Sequence, residues 1–273
     1  MLDISTQDFN RLVVFMKQAY GIDLSKKRQL ITGRLSNTVT NMGLSSFSQY
    51  VDHILRKKDP HDIETLINKL TTNYTFFMRE VEHFNFFRNT ILPWLEQTKK
   101  HNRVLSIWSA GCSSGEEPYT ISMILKEYFG TKAGAWDTRV LATDISQEVL
   151  KTAQDAEYEE GSLKDLPRGW KEKYFRRGPE PGQYMVAPEI KSNVIFRTFN
   201  LMDPIHFRLK FDVIFCRNVM IYFDQPTKDA LVQRFYNASV PGAYLLIGHS
   251  EGLNKATTPY DYIMPATYRK RLK

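Results

Sequence analysis

The chain has 273 residues, 42% hydrophobic and 25% charged, with a net charge of +7; this composition suits a globular protein with a sizeable core, and its two cysteines exclude a secreted disulfide framework. The opening MLDISTQDFN has no basic stretch followed by an apolar run, and no segment approaches the roughly 18 apolar residues of a membrane span, so the sequence predicts a cytoplasmic protein with no membrane insertion. The positive balance favours an anionic partner without saying whether it is nucleic acid, membrane or acidic protein.

Residues 1–72 read as helices only. Ser5 or Thr6 caps a first helix closed by Gly21. Ser25 opens a second, with Leu30, Ile31, Leu35 and Val39 on one side. Ser45 or Ser46 begins a third, and Asp59-Pro60 caps a fourth. Residues 73–102 read as a linker and connecting helix. From residue 103 strands and helices alternate. RVLSIWSAG (103–111), RVLATDIS (139–146), NVIFRTFNL (193–201), FDVIFCRNV (211–219) and GAYLLIGHS (242–250) are predicted strands. Helices are predicted over 117–129, 147–158 and 226–240, and a final edge strand or hairpin near 260–272. This order predicts an α/β fold, a mostly parallel Rossmann-like sheet with helices on both faces. Residues 159–192 interrupt it with a cluster of Gly and Pro. They read as an inserted antiparallel β-subdomain around the turn PEPG, or else as a long wrapped loop.

SAGCSSGEEPYT (109–120) follows the first strand, at the sheet end where α/β proteins bind ligands. A pyrophosphate loop carries G-x-G-x-x-G and bare amides. Here Gly111-x-x-x-Gly115 is followed by Glu116 and Glu117. Two like charges about 4 Å apart repel by roughly 4 kcal/mol at intermediate dielectric, so a diphosphate is poorly received. The acids offset the dipole of the helix they begin, or they receive a cationic ligand. Asp144, closing the next strand, is placed to bind ribose hydroxyls. Together these point to S-adenosyl-L-methionine, which has an ammonium and a sulfonium and no phosphate.

LTTNYTFFMRE (70–80), SAGCSSGEEPYT, ATDIS (142–146), FNL (199–201), FDVIFCRNVMIYFD (211–224) and GHSE (248–251) resemble the chemotaxis receptor methyltransferases, the CheR family. The similarity covers nearly the whole chain. It implies an all-helical N-terminal domain (1–72) that docks receptor, a connecting segment (73–102), and a methyltransferase domain (103–273) with the β-subdomain near 159–192. The implied activity is methyl transfer from S-adenosyl-L-methionine to glutamate side chains of chemoreceptor signalling helices, giving glutamate methyl esters and S-adenosyl-L-homocysteine. Carried over by motif, Asn73, Thr75 and Arg79 line the cofactor, Glu117 supplies the second acid of GEE, and Asp144 holds the ribose. Asn200 and Leu201 flank the adenine, Arg217 and Asn218 complete the pocket, and Tyr222 sits near the reacting methyl. Met78 replaces a more usual Phe, which implies only a packing change.

A glutamate carboxylate is ionised at neutral pH and needs no general base, so Arg79 and Tyr222 are the expected catalytic residues, steering and guiding its approach. Between residues 24 and 58, seven basic residues face Asp52 alone, a local balance of +6. Lys27 and Arg34 are expected to share a helix face that steers acidic receptor helices. Cys112 and Cys216 lack metal-ligand spacing and the six histidines form no ligand pattern, so no metal is expected. Met185 stands where tethered members carry a basic residue, while Arg177 and Gly178 fit. The expectation is therefore a monomeric enzyme that needs no receptor pentapeptide. The alternatives are a nucleic-acid methyltransferase, which CRNVMIYF disfavours by lacking a proline pair, and a non-catalytic cofactor-binding receptor module.

Overall fold

The computed structural model describes residues 2–272. Its first helices, α1 (Thr6–Tyr20), α2 (Arg28–Asn41), α3 (Phe47–Lys57) and α4 (Pro60–Leu70), form a bundle around Leu12, Met16, Ile31, Leu35, Tyr50 and Leu66. Ser5, Ser46 and Asp59 cap α1, α3 and α4 by accepting first-turn amides that have no helical partner. α2 departs from expectation. It begins at Arg28 rather than Ser25, with no side-chain cap, because residues 24–27 close a turn in which the Lys27 amide donates to Leu24 O at 2.9 Å. Lys27 therefore stands at the mouth of α2, as its N-cap residue, rather than within the helix that carries Arg34.

Next, α5 (Val81–Phe86) runs through a π-helical turn, Phe87–Ile91, into α6 (Leu92–Thr98). The strands that follow are β1 (Ile107–Ala110), β2 (Val140–Asp144), β3 (Glu157–Glu159), β4 (Phe175–Arg177), β5 (Gln183–Val186), β6 (Val194–Thr198), β7 (Phe211–Cys216), β8 (Ser239–Ile247), β9 (Asp261–Met264) and β10 (Thr267–Arg269). Between them lie α7 (Glu116–Phe129), α8 (Gln147–Asp155), α9 (Trp170–Tyr174), α10 (Pro188–Lys191) and α11 (Gln225–Ala238).

Seven strands make one sheet in the order β6-β2-β1-β7-β8-β10-β9. The first five are parallel, and β10 pairs antiparallel with both neighbours, so the chain ends in a hairpin. A parallel strand covered on both faces has no solvated side, which is why every residue of β7 is buried. From β1 the chain moves outward through β2 to β6, then returns to β7 and β8. That reversal opens a crevice at the carboxyl ends of β1 and β7. On one face of the sheet the bundle core continues into Trp108, Ile214 and Phe235.

The interruption is a three-stranded antiparallel sheet, order β3-β5-β4, not a wrapped loop. One local reading changes. The predicted helix over 147–158 stops at Asp155, where Ala156 turns left-handed, and its last residues become β3. Ahead of the turn PEPG the subdomain is helical before it is extended: Trp170–Tyr174 form the short helix α9, leaving β4 only three residues long.

Candidate active site

At the end of β1, Gly111 has φ +82°, and a Cβ there would lie 2.3 Å from Val219 Cγ2. Glycine therefore lets the β1–α7 turn press against the turn after β7. The Gly111 and Cys112 amides both donate to Thr143 O, at 2.8 and 2.9 Å, and the Ser113 amide donates to Asp144 Oδ2 at 2.9 Å. These amides are committed within the protein and do not form an open phosphate cradle. The Ser146 amide donates to Asp144 Oδ1 at 3.1 Å. Burial pushes the Asp144 carboxyl up, against the pull of these amides.

The paired acids diverge because successive helical residues point about 100° apart. Glu116 turns inward, is buried, and accepts from Ser114 Oγ at 2.7 Å; burial raises its pKa. Glu117 faces the crevice. Its Oε1 accepts from Ser109 Oγ at 2.6 Å and its Oε2 pairs with Arg217 Nη1 at 2.9 Å.

Arg217 is a buried hub, with 3% of its side chain exposed. Besides Glu117 it donates to Glu80 Oε2 at 3.1 Å and to Arg79 O, and it lies over the Phe84 ring at 5.0 Å. Burial acts to raise the Glu80 carboxyl, but Arg217 and the His249 amide outweigh it and hold that carboxyl below its usual value. Asn218 follows in a left-handed conformation, φ +60°, pinned by its amide to Glu251 Oε2 at 2.9 Å. Glu251 also accepts from the Gly248 and Ile221 amides at 2.6 and 3.0 Å, so the acid of GHSE shapes the turn that carries Arg217 and Asn218.

The segment after α4 closes the crevice. Ser113 Oγ donates to Asn73 O at 2.9 Å, and Arg79 Nη1 donates to Tyr74 O at 2.7 Å. Tyr222 reaches across: its hydroxyl accepts the Thr72 amide at 2.9 Å and donates to Thr72 O at 3.1 Å. In this structure the hydroxyl is thus a clasp between two walls. Tyr222→Phe should weaken S-adenosylhomocysteine binding about five- to tenfold through loss of the clasp. Calorimetry checks this. Unchanged affinity with a lowered kcat would instead assign the hydroxyl to the reaction step.

The resulting cleft has a volume of about 1060 Å³ including its mouth. Asn73, Thr75, Arg79, Glu117 and Asp144 line it, as do Asn200, Leu201, Arg217, Asn218 and Tyr222. The Asn200 amide is already engaged, donating to Ala19 O at 2.8 Å and accepting from the Met202 amide at 3.0 Å, so it fastens α1 to the cleft. Lys27 and Arg34 do not line the cleft. Arg34 donates to Lys69 O and Thr71 O at 3.1 and 3.0 Å, holding the start of the closing segment. Tyr20, Ile22 and Asn68 complete the wall from the helical region, with the Asp23 amide bonded to Tyr222 O at 2.8 Å. Sequence reasoning missed these wall residues; the one local signal was that Tyr20 and Ile22 flank the helix-closing Gly21. Cys112 and Cys216 are buried free thiols.

Two histidines that show no pattern in the sequence meet in space. Glu80, His83 and His249 place one ligand-type atom each within 4.8 Å of one another. The Glu80 oxygen nearest His83 already receives Arg217, so a cation there would face a guanidinium. His83 is fully buried; burial, with Arg217 beside it, lowers its pKa from 6.5 to about 4. Unfolding lets the imidazole take a proton below pH 6.5 that the folded state refuses until about pH 4. Stability should therefore fall as pH drops through that window, by about 3 kcal/mol in all. Denaturant unfolding at several pH values checks the slope. A His83→Gln chain should lack this component, and identical slopes in the two proteins would refute it.

Residues 73–268 match the family described as "CheR methyltransferase, SAM binding domain", and residues 7–71 match "CheR methyltransferase, all-alpha domain". The chain belongs to the CheR methyltransferase family. It is 41% identical over 273 residues to the chemotaxis protein methyltransferase of Borreliella burgdorferi, covering 98% of this chain and 96% of that one. Against the Escherichia coli chemotaxis protein methyltransferase it is 35% identical over 257 residues, covering 93% and 87%. Against the Pseudomonas putida protein Cher2 it is 34% identical over 261 residues, covering 94% of each. Family membership agrees with the resemblance read from the motifs, and the all-helical region, parallel sheet and small β-sheet agree with the fold expected from it.

The cleft fits the cofactor of this family on its own chemistry. The amides after β1 are occupied by Thr143 and Asp144, so the turn has no cradle for phosphate, while Asp144 and Glu117 each keep acceptor capacity toward a ligand that carries hydroxyls and positive charge. Among the described residues no helix is long and apolar enough to cross a membrane.

Proposed function

We propose that this CheR-family enzyme methylates glutamate side chains of chemoreceptor signalling helices in the cytoplasm. The observation that carries the reading is the cleft's inventory of charge. Among the described residues its lining contains no histidine or lysine; its acids are Glu117, paired with Arg217, and Asp144, held by two amides; its one partly uncommitted cation is Arg79. An amine or hydroxyl nucleophile would need a free base to take its proton. A carboxylate needs none, and it needs the positive charge that Arg79 presents. When bound, S-adenosyl-L-methionine supplies an electrophilic methyl on a sulfonium and leaves as S-adenosyl-L-homocysteine. Asp144 and Glu117 hold the hydroxyls and the ammonium, the Tyr222–Thr72 clasp excludes water, and Arg79 aligns the entering carboxylate. No metal is assigned to this chemistry.

We further propose a monomer that takes receptor and not nucleic acid and that works without a receptor-tail tether; Met185, which pairs in register with Glu157 and Arg176, stands where the resemblance expects a basic residue in tethered members. Receptor docking falls to Lys27, exposed at the mouth of α2 beside Lys26, more than to Arg34, whose guanidinium holds the Thr71 carbonyl. Lys27→Glu should lower kcat/KM for receptor on the order of threefold at low salt and flatten its salt dependence, with S-adenosylhomocysteine affinity unchanged. Unchanged kcat/KM at low salt would remove Lys27 from the docking surface. Incubation with labelled cofactor and receptor-bearing membranes tests the activity itself. Label on receptor that base releases as methanol supports it; base-stable label, or label on added RNA instead, overturns it.

A further inference from the structure

Arg79 stands between two residues whose backbone conformation their side chains disfavour. Met78 has φ +63° and Glu80 has φ +55°, both in the left-handed region where a Cβ crowds the chain. Glycine takes that region freely, and neither residue is glycine. Such residues persist only where the surroundings over-determine them, and they gather at functional sites. Here the surroundings grip the turn from both sides. Met78 is buried in the core, and its amide donates to Thr120 Oγ1 of α7 at 3.4 Å. Glu80 is gripped by its carboxylate. Oε1 accepts from the His249 amide at 3.1 Å and from Asn218 Nδ2 at 3.4 Å, and Oε2 accepts from Arg217 Nε at 3.3 Å and Nη2 at 3.1 Å. These bonds tie residue 80 to the turns after β7 and β8, and Arg217 takes the Arg79 carbonyl as well.

Arg79 lines the cleft and Glu80 does not. Among the described residues the Arg79 guanidinium is held at a single point, by donating from Nη1 to Tyr74 O at 2.7 Å. The aim of a long side chain held so lightly depends on the backbone that bears it. We propose that Glu80 is a positioning residue for Arg79: its carboxylate, anchored on Arg217, Asn218 and the His249 amide, locks the 78–80 turn in its left-handed form and so aims the guanidinium at the carboxylate it meets in the cleft. The inference rests on Arg79 being the cation that meets a carboxylate there, as in the function proposed above.

A double-mutant cycle on the full chain, with Glu80→Gly and Arg79→Lys, tests it. Glycine removes the anchor and carries no penalty for φ +55°. Lysine keeps the charge on a flexible stem that needs no fixed fork. Two quantities are read: kcat/KM for a receptor fragment at saturating cofactor, and the S-adenosylhomocysteine Kd by calorimetry. Glu80→Gly is expected to lower kcat/KM about tenfold in the parent and less than about threefold in the Arg79→Lys background, with Kd held within about twofold. A residue that only stabilises the fold lowers both backgrounds by one factor; that result overturns the proposal and leaves Arg79 in its role. Coupling that appears in the Kd instead upholds Glu80 as the positioning residue and overturns the reading of Arg79 as the guide for a receptor glutamate. Arg79→Lys equal to the parent in both quantities overturns that reading and this proposal together. Should Glu80→Gly not fold, Glu80→Gln takes its place; it keeps the side-chain volume and an acceptor for the His249 amide but loses the charge that Arg217 meets. Its expected effect is about threefold in the parent and none in the Arg79→Lys background, and equal effects in the two overturn the proposal.

Discussion

Arg217→Met is expected to lower the stability of the folded chain by about 3–5 kcal/mol, because it leaves buried carboxylates without their cation. Glu117 pairs with Nη1 at 2.9 Å and Glu80 with Nη2 at 3.1 Å, and their side chains are 11% and 14% exposed. Neither acid has room to recover full hydration. At about 2–4 °C per kcal/mol for a chain of this size, the thermal midpoint should fall by roughly 10 °C. Arg217→Lys should recover only part of this, since an ammonium cannot reach Glu117, Glu80 and the Arg79 carbonyl together. Adding Glu117→Gln and Glu80→Gln to Arg217→Met should restore stability by removing the unpaired charges. A midpoint within about 1 °C of the parent in Arg217→Met would show that the hub is not electrostatic.

The second large effect is on ligand affinity. Asp144→Ala should weaken S-adenosylhomocysteine binding about 10- to 100-fold, the worth of a hydrogen-bonded charge at about 1.5–3 kcal/mol. The folded chain should lose less, because the Ser113 and Ser146 amides released by the change lie at the cleft, within reach of water. At a ligand concentration 100 times the parent's Kd, binding adds about 2.7 kcal/mol to the parent. If the variant's Kd is about 50-fold higher, the same concentration adds only about 0.6 kcal/mol, so the ligand-induced rise in melting temperature should shrink to about a quarter of the parent's. A variant that kept the parent's full rise would remove Asp144 from the cofactor site.

These two residues differ in how far the sequence exposes them. Asp144 closes a predicted strand, and the link from strand end to ligand is local and topological, so its place at the cleft was legible. The loop after β1 was legible in the same way, whereas Arg217 was placed near the pocket only by the family resemblance. The partners of Arg217 were not. Glu80 is 137 positions away, and nothing in a local pattern pairs the two. Glu251 and the meeting of His83 with His249 were hidden for the same reason, and so was the reach of Asn68 into a cleft built mainly by the other domain. Glu116 and Glu117 look equivalent in the sequence, yet a 100° helical step puts one in the core and the other in the cleft. Arg34 looks like free surface charge until α4 is seen to end within reach of it. In the fold, the parallel sheet and its crevice follow from the alternation of apolar runs. β3 did not stand out, because its three residues continue a helical pattern that only Ala156 breaks.

The most direct measurement is tandem mass spectrometry of a purified receptor cytoplasmic fragment after turnover with S-adenosyl-L-methionine. The expected result is a methyl ester on glutamate side chains, absent when Arg79→Ala replaces the parent enzyme and hydrolysed on brief treatment with base. A methyl group on lysine, arginine or another nitrogen, or a fragment left unmodified while the enzyme binds S-adenosylhomocysteine, would contradict glutamate methylation by this cleft.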